Sequence, residues 1–170
     1  MAQIGLQLYT LRKSEADFRE VLRRVRHIGY QGVEFSGYGE QDPETLKRLG
    51  TTLGLQFVST HLSYAWLRDD RTSVIHAARD LGIEYVVCPG VPESIRQTRE
   101  DYLRLADLFN DVGAVCHQAG MKFGYHNHHS EFEVFDGEQG IDLIFAHTDP
   151  QFVQMELDVF WVEKAGAIER

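Results

Sequence analysis

The chain has 170 residues, of which 43% are hydrophobic and 25% charged, and a formal net charge of −9. That balance fits a globular chain with a core of useful size and argues against a nucleic-acid partner, whose phosphates demand clustered Lys and Arg. No apolar run nears the roughly 20 residues of a membrane-spanning helix, and residues 1–11 lack the basic and apolar regions of a signal peptide, so a cytoplasmic chain without a membrane partner is expected.

The first β-rich run covers residues 4–9. A helix over 14–28 follows, with Ser14 as its cap and Phe18, Val21, Leu22, Val25 and Ile28 on one stripe. The basic stretch 19–26 is its solvated face. A strand at 32–35 leads to a helix that opens at Asp42-Pro43, a cap followed by proline at the first helical position. A strand at 56–61 precedes a helix over about 70–81, and a strand at 84–88 precedes the longest helix, about 98–119. Cys88 and Cys116 belong to no CxxC pattern and read as buried free thiols. Strands at 122–126 and 153–157 complete six, and a last helix has begun at 162–165.

Four of the helices end alike, at Gly29, Gly54, Gly82 and Gly120, each followed by an apolar residue and then a strand. Glycine suits this place because the residue after many helices takes positive φ. A repeated strand–helix–Gly–strand unit means parallel βαβ connections. Neither GxGxxG nor GxxxxGK[ST] follows the first strand, which removes the main support for a nucleotide-binding open sheet. Polar residues gather at strand C-terminal ends instead, where barrels place their sites. The expected fold is therefore α/β, a (β/α) barrel of the TIM type, with residues 1–170 as a single domain. Eight units typically take about 250 residues, so about six of eight are expected here, with the last two lying beyond Arg170. A barrel open in this way has unpaired strand edges, and a homo-oligomer covering them is expected.

Side chains alternate along a strand. In the first strand Leu6 and Leu8 should pack on the helices, with Gln7 and Tyr9 opposite. Val33 and Phe35 flank Glu34; Val58 and Thr60 share one face of the third strand, Ser59 and His61 the other. Phe123 and Tyr125 face out, leaving His126 and His128 inside; Met155 and Leu157 face out, leaving Glu156 and Asp158 inside. One parity thus gathers Gln7, Glu34, His61, His126, His128, Glu156 and Asp158 around one interior. Such imidazole and carboxylate donors, without a thiol, suit Mn²⁺, Zn²⁺, Co²⁺ or Fe²⁺ better than Ca²⁺.

At these residues the sequence resembles the xylose isomerase-like barrel superfamily, in its sugar phosphate isomerase/epimerase branch. The matching segments are Gly5-Leu-Gln-Leu-Tyr-Thr-Leu-Arg12, Gly29-Tyr-Gln-Gly-Val-Glu-Phe35, Ser59-Thr-His61, Tyr125-His-Asn-His128 with Glu131-Phe-Glu133, and Glu156-Leu-Asp158 with Trp161. The resemblance implies a divalent metal (Mn, Zn, Co or Mg) at the barrel mouth, held by a carboxylate on the fifth strand, an Asp on the sixth and further ligands on the seventh and eighth. Asp158 matches the sixth-strand ligand, and His126 stands where the family often has Glu. The implied chemistry is proton transfer next to the carbonyl of a small sugar or sugar phosphate. His126 and Asp158 would hold the metal, Glu156 and His128 would act on protons, and Gln7, Glu34, His61 and Trp161 would bind the sugar. Three alternatives stand beside this: a keto-glycoside lyase or hydratase, a sugar-binding protein without catalysis, and an inactive barrel fragment. The superfamily's DNA-repair branch needs a basic groove, which a charge of −9 disfavours.

Overall fold

The computed structural model describes residues 4–37 and 42–167. Six strands form one sheet: β1 (Gly5–Gln7), β2 (Gly32–Phe35), β3 (Gln56–His61), β4 (Tyr85–Cys88), β5 (Lys122–His126) and, after a small hairpin of β6 (Val134–Phe135) and β7 (Glu138–Gln139), β8 (Val153–Glu156). The helices are α1 (Phe18–Ile28), α2 (Pro43–Leu53), α3 (Tyr64–Asp69), α4 (Arg71–Asp80), α5 (Arg99–Gln118), α6 (Gly140–Ala146) and α7 (Val159–Lys164). None of them is long and apolar enough to cross a membrane.

The sheet order is β1-β2-β3-β4-β5-β8 and every neighbouring pair is parallel. The order never reverses, so the sheet has no switch point of the doubly wound kind. Each crossover adds its strand on the same side, which is the winding of a TIM-type barrel. The sheet curls as it winds. β3 and β8 are three strand spacings apart, about 14 Å along a flat sheet, yet His61 Nε2 lies 3.0 Å from Glu156 Oε2.

One apolar layer fills the space between sheet and helices. Val33, Phe35, Val86, Phe123 and Tyr125 point out from the strands and are buried against Leu22, Leu46, Ile75 and Phe109. The glycines that end α1 and α2 have φ of 115° and 61°, so the helix-stop signal acts through the backbone freedom that glycine has at C′. Both cysteines are buried and unpaired.

Four local features differ from the sequence expectation, each for a physical reason. β1 stops at Gln7 because the Gln7 side chain accepts the Tyr9 N–H and closes a 3-10 turn over Leu8–Leu11, which leaves Tyr9 exposed. Ser14 accepts from Ala16 N, so α1 starts later, on the Asp17 cap. In β3, Val33 pairs with Phe57 but Glu34 with Ser59, leaving Val58 as the extra residue of a bulge. Phe57 therefore packs outward on Phe35, while Val58 lines the interior with Ser59 and Val87. Gly32 gives it room, since a Cβ there would sit 2.7 Å from Val58 Cγ2. The β6–β7 hairpin turns on Asp136-Gly137, both at positive φ, a pair that favours tight hairpins.

Candidate active site at the strand C-termini

Gln7, Glu34, His61, His126 and Glu156 stand at the C-terminal ends of five strands, and the curl of the sheet brings them together. His61 is the hub. Its Nε2 lies 3.0 Å from Glu34 Oε1 and 3.0 Å from Glu156 Oε2, and its Nδ1 is 3.3 Å from Gln7 Nε2. Ser59 Oγ donates to the second Glu34 oxygen at 2.6 Å, which the β3 bulge makes possible by setting Ser59 beside Glu34. Glu156 Oε2 also meets His126 Nδ1 at 2.7 Å. The other nitrogen of that ring, Nε2, faces Asp158 Oδ2 at 3.6 Å.

The tips of β5 and β8 are tied to each other through the backbone. Asn127, fully buried, accepts the Asp158 N–H at 2.8 Å and donates to the Asp158 carbonyl at 3.2 Å. Asp158 in turn caps α7, its Oδ1 accepting from Phe160 N and Trp161 N. His128 lies just past β5. Its ring sits 5.0 Å from that of His126 and 4.9 Å from Trp161 between centroids, and its nitrogens have no hydrogen-bond partner among the described residues. Beneath it lies Glu131, 1% exposed, which accepts from Tyr125 Oη (2.9 Å), His128 N (2.8 Å) and Ser130 Oγ (3.2 Å).

Charge within the cluster is sharply divided. Burial opposes a charged His61, but hydrogen bonds to Glu156 and Glu34 outweigh it and raise its pKa to about 9. Burial pushes Glu34 above the usual carboxylate range. Glu156 is held below that range because the bonds from His126 and His61 overcome its own burial. His128 is lowered by burial and by the neighbouring His126. Groups whose pKa values are pushed apart in one cleft mark sites of acid–base chemistry.

His61, His126 and Glu156 each offer one donor atom, all within 4.8 Å of one another. Donor atoms bound at about 2.0–2.2 Å around one small divalent ion lie roughly 3 Å apart, and the contacts of 3.0 Å and 2.7 Å to Glu156 are already at that spacing. Two imidazoles and a carboxylate therefore fit such an ion in type, and both imidazoles stand at a suitable spacing from the carboxylate. A cavity of about 490 Å³ opens beside this cluster, between Tyr64, Gly90, Val91, Arg96 and His128.

The alternation rule placed Ser59 on the same side as His61, but its bond to Glu34 depends on the bulge at Val58. Asn127 and Glu131 stand in the matching segments, but strand alternation gave them no role, and Arg96 carried no signal at all.

The profile of the family described as "Xylose isomerase-like TIM barrel" matches residues 22–169. A sugar phosphate isomerase/epimerase from Parabacteroides distasonis is similar at 25% identity and a TM-score of 0.85, over 96% of this chain and 68% of that one. An L-ribulose 3-epimerase matches at 21% identity and a TM-score of 0.74, over 98% of this chain and 64% of the other. The IOLI protein, whose structure holds a zinc atom, matches at 14% identity and a TM-score of 0.78, over 98% and 66%. At these lower identities the last two speak for the fold alone, and this chain spans about two thirds of the length of all three. No curated protein gives a significant match.

Proposed function

This chain belongs to the xylose isomerase-like TIM barrel family, and from that premise we propose that it carries the site of a metal-dependent sugar isomerase or epimerase. The observation that carries the reading is the convergence of His61 and His126 on one oxygen of Glu156, from three different strands. These three residues would hold the metal. Asp158, which approaches the far nitrogen of His126 and is itself fixed by the α7 cap, orients that ring. A divalent ion bound there supplies polarisation of a substrate carbonyl.

The remaining residues divide the other tasks. His128 moves the proton: its ring nitrogens are unengaged and it lines the cavity. Glu156, whose Oε2 meets both histidines, is the carboxylate among the three residues that would hold the metal. Gln7 and Glu34 bind sugar hydroxyls around His61, and Trp161, stacked with His129, offers an apolar sugar face. The sugar partner is a small keto or aldo sugar, free or phosphorylated, and a second copy covers the outer edges of β1 and β8, which pair with no strand among the described residues. The zinc in the IOLI structure and the epimerase names of two similar structures support this assignment.

A second reading is a sugar-binding protein without catalysis, in which the contacts of His61 and His126 to Glu156 form a hydrogen-bonded unit that shapes the pocket. Two measurements separate the readings. Elemental analysis of the purified chain should find about one divalent ion, lost in His61→Ala and His126→Ala. Incubation with keto and aldo sugars in D₂O should then place deuterium on the carbon beside the carbonyl, and His128→Gln should abolish that exchange while retaining the metal. No ion above background sinks the metal assignment. A bound ion with no exchange across a broad sugar panel leaves the binding protein.

A further inference from the structure

The cavity beside the cluster contains a cation whose position asks for an explanation. Arg96 lies on the loop between β4 and α5 and lines the cavity with Ser63, Tyr64, Val91 and His128. It is only partly exposed. No carboxylate among the described residues comes within ion-pair distance of its guanidinium, although most other half-buried charges in this chain are paired; Arg99, for example, meets Glu138 at 3.0 Å. Arginine is seldom withdrawn from water without a partner.

The acidic residue lining the cavity is Glu131, and it is already committed. Its two oxygens take Tyr125 Oη, His128 N and Ser130 Oγ. Arg96 lies close enough to the hydroxyl of Tyr102 to act on it electrostatically, and Tyr102 is a fully buried residue whose ring packs on Phe135. Without a carboxylate partner among the described residues, Arg96 lines a space of about 490 Å³, which lies within the range of small-molecule sites. The walls are otherwise apolar or neutral: Ala65, Pro89, Val91 and Pro92, with the hydroxyls of Ser63 and Ser130. His128 joins this cavity to the metal-type cluster, its ring one centroid spacing of 5.0 Å from His126.

We propose that Arg96 is an anion subsite, and that the ligand of this cleft is an acidic sugar, bearing a phosphate or a carboxylate, whose charged end pairs with Arg96 while its carbonyl end reaches past His128 to His126 and Glu156. The planar fork of a guanidinium matches both anions in a bidentate way. The organic half of this ligand rests on the proposed sugar chemistry; the anion half does not.

Calorimetric titration of the full chain with D-ribose, D-ribose 5-phosphate, D-gluconate and inorganic phosphate tests it. Either acidic sugar should bind at least about 10-fold tighter than D-ribose, and the stronger of the two identifies phosphate or carboxylate. Arg96→Gln should erase that preference, Arg96→Lys should keep part of it, and the metal content and the D-ribose affinity should not change. Ala65→Glu, at an exposed position on the cavity wall, should weaken the acidic sugars by like-charge repulsion even if Arg96→Gln fails to fold. Equal binding of neutral and acidic sugars, or an acidic preference that survives both Arg96→Gln and Ala65→Glu, overturns the subsite. Loss of metal binding with the acidic preference intact would defeat the proposed function and leave the subsite standing.

Discussion

Glu131 offers the sharpest test of how the site is held. Its carboxylate is 1% exposed and takes three hydrogen bonds, from Tyr125 Oη, His128 N and Ser130 Oγ. Hydrogen bonds to a charged group contribute about 1.5–3 kcal/mol each, and a buried donor left without a partner costs a further penalty. Against this stands the cost of burying the charge itself, which truncation would return. In Glu131→Gln the amide oxygen can keep His128 N and Ser130 Oγ while its NH₂ faces Tyr125 Oη, so about one bond is lost and the expected cost is about 1–2 kcal/mol. In Glu131→Ala all three donors are orphaned in a dry site, and the expected cost is about 3–5 kcal/mol. At this chain length each kcal/mol moves the melting temperature by about 2–4 °C, so Gln should lower it by a few degrees and Ala by about 10 °C or more. Urea unfolding followed by circular dichroism gives both values on one scale. An Ala variant that loses less than about 1 kcal/mol, or a Gln variant as damaged as Ala, would refute this account of the His128 loop.

Gly113→Ala should destabilise even though alanine is the better helix former by about 1 kcal/mol. The added Cβ would lie 2.5 Å from the Phe152 carbonyl oxygen and 2.8 Å from Phe152 Cβ, and overpacking typically costs about 1–3 kcal/mol; a raised melting temperature would show that α5 can shift. The metal-free protein should lose stability with rising pH. The pKa of His61 is raised from 6.5 to about 9, so its contribution is complete below about pH 6.5 and falls away as pH passes 9, by at most about 3 kcal/mol; urea midpoints in chelator from pH 6 to 9 should decline, and an equal decline in His61→Gln would remove His61 as the cause. Burial pushes both Cys88 and Cys116 up to about 12, so a thiol reagent at pH 8 should label neither in the native chain and both in urea; fast native labelling of either would contradict the packing of α5 on the sheet.

Much of this architecture was readable along the chain because it rests on local rules. The helix–Gly–strand punctuation at Gly29, Gly54, Gly82 and Gly120 depends on backbone φ alone, and all four glycines take positive φ. The alternation of strands foretold that Gln7, Glu34, His61, His126 and Glu156 share one side, since parity is a property of a single strand. The short elements were harder to see. α3 has six residues and no apolar stripe, only a Ser63 cap and buried Leu67. The β6–β7 hairpin had its signal in Asp136-Gly137, but its two-residue strands are too short for any alternation.

What the sequence determined by itself was a parallel βαβ winding and a polar set at the strand ends, since both follow from residue order and side-chain periodicity. The tertiary structure alone decided which atoms meet. The curl of the sheet brings β3 to β8 and turns separate polar residues into the His61–Glu156–His126 cluster. The bulge at Val58 delivers Ser59 to Glu34. The orientation of one ring sets Glu156 and Asp158 on opposite nitrogens of His126. These are distances across the fold, and no pattern of neighbours in the chain contains them.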